Sequence, residues 1–165
     1  PAGDPPHKEA RKVEDKRHRY AMTSLAVSTN PFFEVSSVEV DRKGYTYTVD
    51  TIKYFQTQFP DSTSFYFIIG ADSVEQLHTW KNVQILLGMC EFVVATRPGH
   101  DREELLRQID CLKTKYNSKI SLVEVPALDI SSTLIRKKIK EGLSIKYLVP
   151  ELVEKYIIDN SLYRM

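Results

Sequence analysis

The stretch "FYFIIG", Phe65 to Gly70, decides the fold. It is aromatic or β-branched up to its closing glycine, the pattern of a strand buried on one or both faces. Two further runs repeat it: "EFVVATRPG" (Glu91 to Gly99) and "KISLVEVP" (Lys119 to Pro126). Helical patterns follow the three runs, over about 72–79 with a further piece at 82–88, then 101–115, then 131–141. Strand and helix alternating at this spacing predict an α/β chain, an open parallel sheet covered by helices on both faces.

Residues 1–8, "PAGDPPHK", read as a loop. Residues 14–28 read as a helix, with Tyr20, Leu25 and Val27 apolar and Lys16, Arg17 and Arg19 crowding its start. "FFEVSSVEV", Phe32 to Val40, alternates enough to predict a strand, ended by the turn "DRKG". "TVDTIKYFQTQFP" places Val49, Ile52, Phe55 and Phe59 at helical spacing, and Pro60 closes it. A last helix runs from Pro150 to about Asn160, its proline sitting where the missing N–H costs little.

At 165 residues the chain is one domain's worth, 1–165, and 42% of it is hydrophobic. Its 23 basic and 22 acidic residues leave a net charge of +1, which gives no reason to expect nucleic acid or a membrane surface. Cys90 and Cys111 have neither metal spacing nor a CxxC pattern, which suggests a reducing compartment. No apolar run approaches a membrane span and no segment reads as a signal peptide.

In an open parallel sheet, ligands bind beyond the carboxyl ends of the strands. The three runs end there in unusual residues: Gly70-Ala71-Asp72, Thr96-Arg97-Pro98-Gly99, and the loop into Ile130-Ser131-Ser132-Thr133. Asp72, Arg97 and the helix start Ser131–Arg136 are therefore expected on one rim. In "LDISSTLIRKKI" (Leu128 to Ile139) Ser131 reads as an N-cap, or the helix start reads as an anion site with Ser132 and Arg136 on one face. Their position on the rim favours the anion reading.

Other positions carry two readings each. Gly70 lets a ligand approach the backbone. Asp72 could accept from a ribose or cap the next helix. Arg97 could meet phosphate or a base, or stay a solvated loop charge. His7 and Lys8, in a loop stiffened by Pro5 and Pro6, could contact anions or simply be exposed. Trp80, the single tryptophan, could anchor the core or stack on an electron-poor ring. Thr48 opens a helix whose N–H groups could receive a carboxylate. His78 lacks a nucleophile beside it and reads as a surface residue.

Taken in order, "FIIGADS", "LHTW", "TRPG" and "ISSTLIR" resemble the bacterial nicotinate mononucleotide adenylyltransferases of the nucleotidyltransferase superfamily. "PPHK", "YTYTVDT" and "YLVPELVEKYIIDNSLY" agree with it, so the resemblance spans the chain. "ISSTLIR" alone marks only the superfamily, which includes phosphopantetheine adenylyltransferase. The resemblance implies a Rossmann-like fold, a cytoplasmic enzyme of NAD biosynthesis, and transfer of an adenylyl group from ATP to nicotinate mononucleotide with magnesium (Mg2+) assisting. Pyrophosphate leaves, and no covalent enzyme intermediate is needed.

Carried over by motif position, Ser132 and Arg136 would hold ATP phosphates, and Ser131 and Thr133 would shape the helix start. Gly70 and Asp72 would border the adenosine, with Arg97 completing the ATP set. Trp80 would stack on the pyridine. Thr48 and the Lys81 backbone N–H would receive the nicotinate carboxylate. His7 and Lys8 would approach the phosphates, joining Arg136 and Ser132 as catalytic groups. No protein metal ligand is implied. Thr46 stands where serine is commoner. The family's opening motif GGTFDPxHxGH is absent. The resemblance therefore implies that the first strand or strands, roughly 40 residues with their helix, are missing here. This chain alone is then expected to be nearly inactive and to carry an exposed sheet edge. The alternatives are a non-catalytic nucleotide-binding module, or an enzyme for nicotinamide mononucleotide or phosphopantetheine. Homo-oligomer formation stays open.

Overall fold

The computed structural model describes residues 1–6, 13–96, 101–126, 128 and 130–164. The chain divides into two compact units, Tyr47–Ala127 and the pair of segments Pro1–Thr46 with Leu128–Met165.

The unit Tyr47–Ala127 holds the sheet. Strands β1 (Tyr66–Gly70), β2 (Glu91–Thr96) and β3 (Ile120–Glu124) lie parallel in the order β1-β2-β3. Phe67 pairs with Phe92 and Ile69 with Val94, and Phe92 in turn pairs with Ile120. Residues two apart point to one face, so Phe67, Ile69, Phe92, Val94 and Ile120 share it. That face is the core. Helices α2 (Thr48–Gln58), α3 (Val83–Met89) and α4 (Arg102–Tyr116) close it with Val49, Ile52, Leu86, Leu87, Leu105, Ile109 and Leu112. Full burial of Phe92 alone is worth roughly 1.5–3 kcal/mol. The other face carries Tyr66 and Ile68, which are 62% and 71% exposed, and a half-exposed Val123.

A single helix expected over 72–79 is instead two 3-10 turns, Ala71–Ser73 and Leu77–Thr79. The reason lies in the apolar spacing. Ala71, Val74 and Leu77 are buried and Trp80 is half-buried, each three residues after the last. That period matches three residues per turn, and an α-helix would rotate these side chains off the core.

In the other unit, α1 (Lys16–Val27), α5 (Ser132–Lys140) and α6 (Glu151–Asp159) pack around Ile145, Val153, Ile157 and Leu162. Met22 and Leu25 contribute from α1, and Ile135 and Ile139 from α5. The His18 Nδ1 lies 2.9 Å from the Tyr156 hydroxyl, tying α1 to α6.

The strand expected over Phe32–Val40 does not form. Local bonds win there: the Phe32 N–H donates to the Asn30 side chain, the Val38 N–H to Ser36 Oγ, and the Asp41 N–H to the Ser37 carbonyl. Ser and Asn side chains offer the backbone these short-range partners in place of a ladder. Phe32, 92% exposed, gains nothing from burial. Among the described residues of this part of the chain, the pairing is a parallel bridge between Asp4 and Tyr45. It is supported by the Thr46 N–H donating to the Asp4 carbonyl at 3.0 Å.

Candidate functional site

The sequence-derived site residues fall in both units. In the sheet unit, Gly70 ends β1 and Ala71–Ser73 turns immediately beyond it. Gly70 has φ −75°, and a Cβ added there would meet no atom within 4 Å, so open space lies above its backbone. Asp72 sits exposed in the turn itself rather than at the cap of a longer helix.

Trp80 follows the second 3-10 turn. Its ring stands edge-on to Phe67, centroids 6.0 Å apart and planes at 85°. The indole is therefore fixed on one side by the core and only half-buried. Lys81, next in the chain, holds its ammonium 3.9 Å from the centre of the Tyr47 ring. Tyr47 is the residue before α2 and gives that helix no side-chain cap. Thr48, the first residue of α2, is half-buried. Its helix start has unpaired N–H groups, and the Asp50 carboxylate in the first turn offsets part of their positive charge. Trp80, Lys81 and the α2 start are thus tied together through the Lys81–Tyr47 pair. His78 is exposed, with its Nδ1 2.7 Å from the Glu75 carbonyl, and takes no part.

In the other unit, Ser131 caps α5: its hydroxyl accepts from the Leu134 N–H at 3.1 Å. The capping reading thus describes Ser131 itself. Ser132 and Thr133 form the exposed first turn. Arg136, also exposed, reaches back to the Thr133 hydroxyl at 3.5 Å. The guanidinium therefore leans towards the amino end of α5, where anions are favoured. It also acts on Tyr163. Burial raises that phenol's pKa most and the Glu14 charge adds to it, while the Arg136 and Arg19 charges oppose them.

Three predicted residues, His7, Lys8 and Arg97, lie outside the described residues. The segment leading to His7 is nonetheless defined. The Arg19 guanidinium donates to the Ala2 carbonyl, to the Gly3 carbonyl at 2.6 Å and to the Glu14 carbonyl at 3.0 Å. Lys16 pairs with Asp4 at 3.1 Å. Sequence reasoning missed Arg19, whose only signal was a basic helix start. It also missed Tyr47, because its pairing with a residue 34 positions away leaves no local trace.

Among the described residues no group of three or more His, Cys, Asp or Glu side chains is placed to hold a metal ion. Among them, too, no helix is long and apolar enough to cross a membrane.

Comparison with known proteins gives this geometry a family. The cytidylyltransferase-like family model matches residues 1–138. A Thermoanaerobacter sp. (strain X514) protein named "Probable nicotinate-nucleotide adenylyltransferase" is 53% identical over 164 residues, covering 99% of this chain and 78% of that protein. A Moorella thermoacetica protein of the same name is 48% identical, over 99% and 76%. Among solved structures, Plasmodium falciparum nicotinic acid mononucleotide adenylyltransferase complexed with NaAD superposes with a TM-score of 0.66 at 22% identity, over 94% of this chain and 77% of that one. Its complex with APC gives 0.64, also at 22% identity, over 92% and 77%. These two establish the shared Rossmann-like α/β fold. With a family model over most of its length and relatives near half identity, the chain belongs to the nicotinate-nucleotide adenylyltransferase family of nucleotidyltransferases.

Proposed function

We propose that the residues of this chain serve its family's reaction, adenylyl transfer from ATP to nicotinate mononucleotide in NAD biosynthesis, each set binding part of one substrate. The α5 start takes the ATP phosphates: Ser132 and Thr133 with its N–H groups, and Arg136 as the positive charge. Gly70 and Asp72 border the adenosine, with Arg97 beside them. Trp80 stacks on the pyridine, and Thr48 with the Lys81 N–H receives the carboxylate. His7 and Lys8 approach the phosphates.

In the reaction a phosphate oxygen of the mononucleotide attacks the α-phosphorus of ATP. The bond from that phosphorus to the bridging oxygen of the β-phosphate breaks, and pyrophosphate leaves with the electron pair. The side chains need only position two anions and offset their repulsion. Magnesium entering with ATP would neutralise part of the triphosphate charge, bound chiefly through phosphates and water.

The observation that carries the proposal is the tethered trio of Trp80, Lys81 and the α2 start. A flat ring held by an edge contact, a cation and a helix start without a side-chain cap suit a pyridine bearing a carboxylate. The test is steady-state formation of nicotinate adenine dinucleotide by the full-length protein. Trp80→Ala should raise the Michaelis constant for the mononucleotide more than that for ATP. Arg136→Ala should lower kcat by on the order of a hundredfold, the usual cost of one lost charge-stabilising donor. Preference for the amidated mononucleotide, or equal effects of Trp80→Ala on both substrates, refutes this assignment.

A further inference from the structure

We propose that Tyr47 is a positioning residue for the loop Trp80–Asn82, and that its hold on the Lys81 ammonium sets the preference for a carboxylate over a carboxamide on the pyridine. The inference rests on the reading of Trp80 and Lys81 as the pyridine site.

Three observations carry it. The Lys81 Nζ stands 3.9 Å from the Tyr47 ring centroid, close enough for a cation–π pair. Tyr47 packs against the core cluster that contains Val49 and Ile52, so its ring is a fixed platform rather than a swinging one. Asn82, next in the chain, sits in the left-handed region at φ 53°, which asparagine adopts more readily than most residues, and turns the chain into α3. The loop is thus held at Trp80 by Phe67 and at Lys81 by Tyr47, and Asn82 turns it into α3.

The chemistry follows from charge. A carboxylate gains from a nearby ammonium, and a neutral carboxamide does not. A lysine already held over a ring loses less side-chain freedom when the substrate arrives. The Tyr47 ring therefore acts through Lys81, without itself touching substrate. A cation–π pair at an exposed site corresponds to about a two- to fivefold effect on an equilibrium.

Because Trp80 is the single tryptophan, emission excited at wavelengths that tyrosine does not absorb reports this loop alone. In the first experiment, without ligand, acrylamide quenching of Trp80 is compared in wild type, Tyr47→Leu, Tyr47→Phe and Lys81→Met. Leu and Met should raise quenching, and Phe, which keeps the ring face, should match wild type. In the second, fluorescence titration and kinetics use nicotinate and nicotinamide mononucleotides. Tyr47→Leu should lower the acid-over-amide preference about two- to fivefold, through the mononucleotide KM rather than kcat. Phe should retain the preference, and Tyr47→Leu combined with Lys81→Met should match Lys81→Met alone. Lys81→Met changes an exposed side chain, so it carries the test if the leucine variant folds poorly. Unchanged quenching in Lys81→Met, or equal shifts for both mononucleotides, overturns the proposal. A wild type that binds neither mononucleotide refutes the pyridine site instead, while the ligand-free quenching still judges the clamp.

Discussion

An added Cβ at Gly3 would lie 2.1 Å from the Glu39 backbone oxygen and 2.8 Å from the Thr46 Cγ2, whereas one at Gly70 would meet nothing. Gly3→Ala must therefore displace backbone, and should cost about 1–3 kcal/mol in denaturant unfolding. Gly70→Ala should leave the unfolding midpoint almost unchanged while raising the Michaelis constant for ATP. A large stability loss at Gly70 would make it a structural glycine. The cysteines separate as clearly. Burial pushes the Cys90 thiol up to about 11, and Cys111 is exposed. A thiol reagent near pH 8 should label Cys111 alone, with Cys90 reacting only on unfolding. The Cys90 shift stabilises the fold fully below pH 9, the ordinary value. That contribution fades between pH 9 and about 11, where the unfolded chain releases a proton the folded one keeps. At this scale the sequence was legible where chemistry is local, as in Ser131 capping its own helix. It was silent at Gly3 and Tyr47, whose partners lie far along the chain.

Elements were readable where apolar runs are long enough to commit. The β1 run has four consecutive β-branched or aromatic residues and the β2 run three, facing the two sides alternately, and both form strands. Phe32–Val40 shows a similar alternation, yet its serines and the preceding asparagine supply nearer hydrogen bonds. The alternation was not accompanied by a partner strand, and pairing partners are what alternation cannot specify. In 71–80 the apolar residues recur every third position, a period that the helical reading passed over. The helix ends offer a direct measurement. Asp101 caps α4 by accepting from the Glu104 N–H at 3.0 Å, so Asp101→Ala should cost about 1 kcal/mol in urea titration. Loss below a few tenths would mean that the acidic first turn, Glu103 and Glu104, stabilises the helix start without the cap.

Across the whole molecule, a parallel sheet with helices between its strands was legible from the alternation of patterns, whereas the strand order β1-β2-β3 was not. What the sequence could not supply is the grouping of Pro1–Thr46 with Leu128–Met165, because contact between the two ends of a chain leaves no periodicity. The sheet face bearing Tyr66 and Ile68 is open, and exposed apolar strand surface promotes self-association. Ile68→Thr should slow aggregation on storage, measured by light scattering, with unfolding free energy within about 0.5 kcal/mol of wild type. Faster aggregation would show that Ile68 shields the strand. Arg19 has a different consequence. One guanidinium collects carbonyls from Ala2, Gly3 and Glu14, and a lysine ammonium, lacking the planar fork, cannot span all three in that geometry. In a survey of tolerated substitutions, this charged position should thus rank with the interior leucines, accepting neither lysine nor glutamine, although nothing in its polarity sets it apart from its basic neighbours.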